Sequence, residues 1–144
     1  MIAVDTNVLL RRILNDDEQQ SAKTKKVFES GRPVLITDVV LAETIRTLKG
    51  KLYGATKEDI QAVVMGLLEE THAVFENQQA IWSALNYFVA AKDVNTANGV
   101  KTADLADALI VNKAKMIARD KNQPYEGTYT FDLAALQIDG TKRP

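Results

Sequence analysis

Five acidic side chains, Asp5, Glu43, Asp104, Asp107 and Asp132, have types and positions that could do chemistry. Asp5 directly follows the apolar run Ile2-Ala3-Val4, and Asp132 ends Tyr129-Thr130-Phe131. Both stand where a strand would stop. Glu43 interrupts the apolar turn Val39-Val40-Leu41-Ala42-Glu43-Thr44-Ile45, and Asp104 and Asp107 interrupt the apolar segment from Ala103 to Val111. A spacing of three puts that last pair on one face of a helix. An ionised carboxylate is costly to bury alone, and two at one helix end repel each other unless a cation intervenes. With no cysteine and one histidine in the chain, a cluster of these acids is an all-oxygen donor set, which selects Mg²⁺ or Mn²⁺ over softer metals. Metals held this way activate water and offset charge on a phosphoryl oxygen. The reaction class this predicts is phosphodiester hydrolysis.

Each acid also has a plainer reading. Asp5 could be a helix N-cap worth about 1 kcal/mol, although Thr6 and Asn7 are cap formers too. Glu43 could lie on an exposed helix edge or pair with Arg46. Asp104 and Asp107 could form a solvated helix end favoured by the helix dipole. Asp132 could cap a short helix from Leu133 to Leu136. These readings lose weight together, because every one of the five sits at an element end that an α/β fold directs to one crevice.

The elements that must position them follow from periodicity. Strands are expected over residues 2–4, 33–36, 72–75 and 129–131, with a short fifth at 136–138. Helices are expected over 8–14, opened by Thr6 and Asn7, and over 18–29, stopped by Gly31. A third, 39–52, is capped by Thr37 or Asp38, and Thr56 with Asp59 makes a capping box for a fourth running to 70. Asn77 caps a fifth through 91, and Thr102 or Ala103 opens a sixth reaching 119. Residues 93–101 read as a loop and 140–144 as a tail. Strands alternating with helices predict an α/β class: a three-layer α/β/α single domain, residues 1–144, around a central parallel sheet of four to five strands. In such sheets ligands bind beyond the strands' carboxyl ends, where strand order reverses. If strands one and four flank that point, Asp5 and Asp132 share it.

Composition narrows the class further. The 144 residues, 46% hydrophobic and 26% charged, suit one globular domain without repeats or low-complexity tracts. The absence of cysteine excludes a disulfide scaffold, a zinc-thiolate site and thiol catalysis, and suits a cytoplasmic location. The first strand begins right after Met1, leaving no room for a signal peptide, and no apolar run is long enough to span a membrane. The net charge of −1 is low for a nucleic-acid binder, yet without the five acids the remaining side chains carry +4. His72 and Trp82 read as structural, and Asp16, Asp17 and Glu18 as a solvated turn. A Ser-His-Asp triad has no nucleophile in a suitable setting. An aspartyl phosphotransferase would want an acid where Asn7 stands. A dinucleotide-binding domain would want a glycine-rich turn after the first strand.

Four segments together resemble the motifs of PIN domains: Val4-Asp5-Thr6-Asn7-Val8-Leu9-Leu10-Arg11, Val40-Leu41-Ala42-Glu43, Asp104-Leu105-Ala106-Asp107-Ala108-Leu109-Ile110, and Thr130-Phe131-Asp132. Their order matches, and the likeness runs from Ile2 to about Ile138. The resemblance implies that Asp5, Glu43, Asp107 and Asp132 are catalytic metal ligands, with Asp104 auxiliary and Asn7 and Thr130 orienting the acids. It implies one or two Mg²⁺ or Mn²⁺ ions, in-line attack of water on RNA, and 5′-phosphate and 3′-hydroxyl products. Arg11, Arg12 and Lys101 are candidates for holding the RNA. The chain is most similar in size to the VapC toxins, ribonucleases blocked by a VapB antitoxin and usually dimeric. The alternative is a catalytically inactive member of the fold that binds RNA or protein.

Overall fold

Val34, Leu35 and Ile36 are β-branched or bulky apolar residues in an unbroken run, the composition of a strand with neighbours on both edges. In the computed structural model, which describes residues 1–144, they form β2 (Val34–Ile36). It pairs in parallel with β1 (Ile2–Ala3) and with β3 (Ala73–Phe75), in the order β1-β2-β3. The chain divides into two units, Met1–Gln78 and Gln79–Pro144, and this sheet belongs to the first. Parallel neighbours need long crossovers, here supplied by helix pairs. Helices α1 (Thr6–Leu14) and α2 (Glu18–Phe28) join β1 to β2; α3 (Asp38–Lys49) and α4 (Lys57–Glu69) join β2 to β3. Helix α1 packs on α2 and α3, and α4 meets α3 and β3. Leu9, Phe28, Val34, Ile36, Leu41, Ile45 and Ile60 are fully buried. On α3, residues 41, 45 and 48 recur at helical spacing and are all buried, as the periodicity predicts, but Leu52, expected on the same stripe, lies past the helix end at Lys49 and is exposed.

The second unit carries α5 (Gln78–Ala90), which starts at the boundary, then β4 (Val94–Thr96), β5 (Gly99–Lys101), α6 (Leu105–Asp120), β6 (Thr128–Tyr129) and β7 (Thr141–Lys142). Phe88, Ile81, Leu85, Leu105, Val111 and Ile138 are buried in it. The mixed α/β class with a parallel sheet is as expected, and the deviations have local causes. The parallel sheet has three strands rather than four or five, because Thr128–Tyr129 pairs with Thr141–Lys142 in its own two-stranded parallel ladder. Residues 140–144 are therefore not a bare tail: the Thr128 and Thr130 N–H groups donate to the Gly140 and Lys142 carbonyls at 2.8 and 3.0 Å. The expected loop 93–101 is a hairpin, β4 antiparallel to β5. The two-residue loop is Ala97-Asn98, and Gly99, which opens β5 opposite Thr96, takes φ +102°, a conformation that favours glycine. The expected strand at 136–138 is instead a single 3₁₀ turn, Ala135–Gln137, started by a carboxylate cap described below.

Candidate functional site

In the first unit the chain leaves β1 at Asp5, whose extended backbone (φ −92°, ψ 176°) turns directly into α1. The Asp5 Oδ1 accepts the Val8 N–H at 2.9 Å. The plain N-cap reading of Asp5 is thus correct as far as it goes. A carboxylate has two oxygens and about four lone-pair directions, so one capping bond does not exhaust its capacity as a ligand. Glu43 projects, exposed, from the middle of α3. Its Oε2 accepts a hydrogen bond from Thr6 Oγ1 at 2.8 Å. Thr6 is the residue after Asp5, so one hydroxyl ties two acids of distant sequence into one neighbourhood. Asn7, the expected orienting residue, lies exposed in the first turn of α1. Thr6 was missed because its part is visible only once α3 lies beside α1.

The cationic candidates nearby are already engaged. Arg11 is hydrogen-bonded and ion-paired to Asp16. That bond holds the Asp16 carboxyl below the usual aspartate range and raises the Arg11 pKa. Arg12 pairs with Glu70 at 2.6 Å and lies 5.5 Å from the Phe28 ring centroid, a cation–π distance. Lys101, on β5, is exposed.

In the second unit Asp104 is the N-cap of α6 and Asp107 its third helical residue, together making a capping box. Asp107 Oδ2 accepts the Asp104 N–H, and Asp104 Oδ1 accepts the Leu105 N–H, both at 2.8 Å. These amides and the positive end of the helix dipole offset the repulsion between the two half-buried carboxylates. Their closeness is therefore not by itself a demand for a cation. Asp132 is exposed, and its Oδ1 accepts the Ala134 and Ala135 N–H groups at 2.7 and 3.1 Å. This cap starts the 3₁₀ turn and displaces the strand expected there. Thr130 Oγ1 in turn accepts the Asp132 N–H at 3.0 Å, so Thr130 fixes the backbone of Asp132 and not its carboxylate.

The structure therefore brings Asp5 near Glu43 in one unit and Asp104 to Asp107 in the other. No group of three or more His, Asp or Glu side chains forms a ready metal cage. A family model described as the PIN domain matches residues 2–120. The chain belongs to the PIN-domain family. No curated protein matches it. PIN domains are generally nucleases and usually use divalent metal ions, so membership of the family suggests an interaction with nucleic acid. The span matched contains Asp5, Glu43, Asp104 and Asp107, while Thr130 and Asp132 lie beyond it. The donor chemistry of these residues, carboxylate oxygens with no thiolate anywhere in the chain, fits a hard divalent cation. No helix of this PIN domain is long and apolar enough to cross a membrane.

Proposed function

We propose that the chain is a divalent-metal-dependent endoribonuclease, and specifically the toxin of a VapBC-type pair. The observation that carries this reading is the PIN match over a span holding Asp5, Glu43, Asp104 and Asp107. In this reading Asp5, Glu43, Asp107 and Asp132 hold Mg²⁺ or Mn²⁺ through their carboxylate oxygens, with Asp104 auxiliary. The bound cation supplies Lewis-acid polarisation of a phosphoryl oxygen and a lowered pKa for water. Thr6 keeps Glu43 turned to its task by donating to Oε2, and Thr130 steadies Asp132 through its backbone. Water adds to phosphorus as the 3′-oxygen leaves with a proton, giving a 5′-phosphate and a 3′-hydroxyl. Lys101 is the cation most accessible to RNA among those first considered; Arg11 would have to give up Asp16. The partners in this reading are an RNA substrate, a VapB-like antitoxin and a second copy of the chain, all in the cytoplasm.

The test is cleavage of a labelled RNA by purified protein. Cleavage is expected with Mg²⁺ or Mn²⁺, and its rate should fall on the order of 10²-fold or more in Asp5→Asn and in Asp107→Asn. Cleavage that persists in chelator, or in Asp5→Asn, overturns the metal site. For the toxin role, expressing the wild-type chain should arrest growth and expressing Asp107→Asn should not.

A second reading has its own support: Asp5, Asp104, Asp107 and Asp132 all serve as helix or turn caps. A PIN domain that keeps these acids only for folding would bind RNA or protein without cleaving. It predicts that Asp107→Asn changes the unfolding midpoint while leaving RNA intact in wild type and variant alike.

A further inference from the structure

Phe131 is the most exposed large apolar side chain of the protein, 85% accessible, and Tyr129 is 58% accessible. Tyr129 is in β6 and Phe131 follows just beyond it, and the half-buried Thr128 and Thr130 alternate with them, the burial period of an extended segment with alternate residues on one face. Residues two apart on a strand are separated by about 6.6 Å, a step that lets one extended strand set neighbouring bases on both rings. Scattered exposed apolar residues are ordinary, and Phe131 alone would carry nothing. Its surroundings are what single it out. Lys142 is the register partner of Tyr129 across the β6–β7 ladder, and its Nζ lies 4.9 Å from the Tyr129 ring centroid. Gly127 lies beside it: it has φ +127°, and a Cβ there would come within 2.9 Å of Lys142 Cε. Exposed Arg143 follows. Tyr129 and Lys142 thus pair within one short ladder, and exposed Phe131 and Arg143 follow just past its ends, Phe131 directly before Asp132.

We infer that Tyr129, Phe131 and Lys142 form a stacking site for the bases of an unpaired RNA segment, next to Asp132. The inference rests on the nuclease reading for its purpose and deepens it by naming the form of RNA received. Charge complementarity favours RNA over a protein partner. Aromatic faces beside Lys and Arg suit a polyanion that also presents π surfaces, and base stacking on aromatic side chains tolerates any sequence. A base-paired helix keeps its base faces covered and cannot use the site.

The experiment measures binding of a fluorescent unpaired oligoribonucleotide, and of a duplex of the same composition, by anisotropy in chelator. Phe131→Ala should weaken unpaired RNA by about 5- to 150-fold, the loss of one stacked base, and leave the duplex unchanged. Phe131→Trp should retain affinity, and Phe131→Leu should fall nearly as far as Phe131→Ala, since area without a π face does not suffice. Lys142→Gln should reduce the slope of log affinity against log salt by about 0.7, one phosphate's share on a single strand. Phe131 is exposed, so the variants should unfold at the wild-type midpoint, read by circular dichroism. Wild-type affinity in Phe131→Leu, or equal weakening of both RNA forms in Phe131→Ala, overturns the inference. So does an unchanged RNA affinity in Phe131→Ala accompanied by loss of self-association in sedimentation. A protein that binds unpaired RNA through Phe131 yet cleaves nothing in Mg²⁺ sinks the nuclease reading alone. A cleaving protein indifferent to Phe131→Ala sinks this one alone.

Discussion

Thr6 donates one hydrogen bond to a charged acceptor, and such bonds are stronger than neutral ones. That bond makes it a positioning residue for Glu43 in the proposed site. Outer hydrogen bonds of this kind typically govern 10- to 100-fold of metal affinity or activity. Thr6→Val is therefore expected to raise the Mg²⁺ concentration needed for half-maximal cleavage about tenfold or more. Thr6→Ser, which restores the hydroxyl, should bring it back. A Thr6→Val protein with the wild-type Mg²⁺ requirement would make the Thr6–Glu43 bond a packing detail. Asp5 itself was legible from its neighbours, a short apolar run and then an acid. The Thr6 contact was not, because nothing in the local sequence says which helix comes to lie across α1.

At the scale of the element, capping chemistry explains why several helices begin where they do. Thr56 and Asp59 satisfy each other's amides at the start of α4, with bonds of 2.9 and 3.1 Å. The Thr56 backbone N–H, and then its hydroxyl, hold the Asp59 carboxyl below the usual aspartate range. A carboxyl whose pKa is lowered by folding stabilises the native state above its unfolded value, about 3.9, and that stabilisation goes as pH falls through the lower folded value. Asp59→Asn should accordingly lower the urea midpoint at neutral pH, with the gap narrowing in acid below the ordinary aspartate range. A gap that stays constant to the acid limit would show that charge plays no part in the cap. Thr56→Ala is expected to cost about 1 kcal/mol at neutral pH. This box was readable from Thr56-x-x-Asp59 spacing alone. The β4–β5 hairpin, whose signal is equally local, reads from the sequence only as a loop, and the β6–β7 ladder has no local signal, since its partners lie a dozen residues apart and each strand is two residues long.

For the molecule as a whole, the acids of the proposed site bear on stability as well as on catalysis. Like charges at Asp104 and Asp107 are tolerated in α6 through amides and dipole, and a cation bound only by the folded chain adds stability by mass action. Saturating Mg²⁺, at 100 times its dissociation constant, should add about 2.7 kcal/mol. The thermal midpoint of wild type should rise accordingly, and that of Asp107→Asn should move far less. Equal shifts in both proteins would mean that Mg²⁺ acts by general screening.

The sequence by itself determined the α/β class, because alternating apolar runs and amphipathic helices leave few ways to bury both. It also determined that Asp5, Asp104 and Asp107 fall at helix starts, and the PIN-like order of the acids; Glu43, expected at an element end, lies instead in the middle of α3. Local rules sufficed for α3 and α4, whose buried positions and caps are set within one or two turns. Tertiary structure alone decided the Thr6–Glu43 bond, the parallel pairing of β6 with the C-terminal residues, and the exposure of Phe131 beside Lys142. Each of these joins residues far apart in the chain, or depends on which face a short strand turns outward. Packing of the whole settles such choices, because no nearby residue carries enough energy to do so. The five carboxylates keep their proposed chemistry and gain a structural setting: four of them cap helix or turn starts.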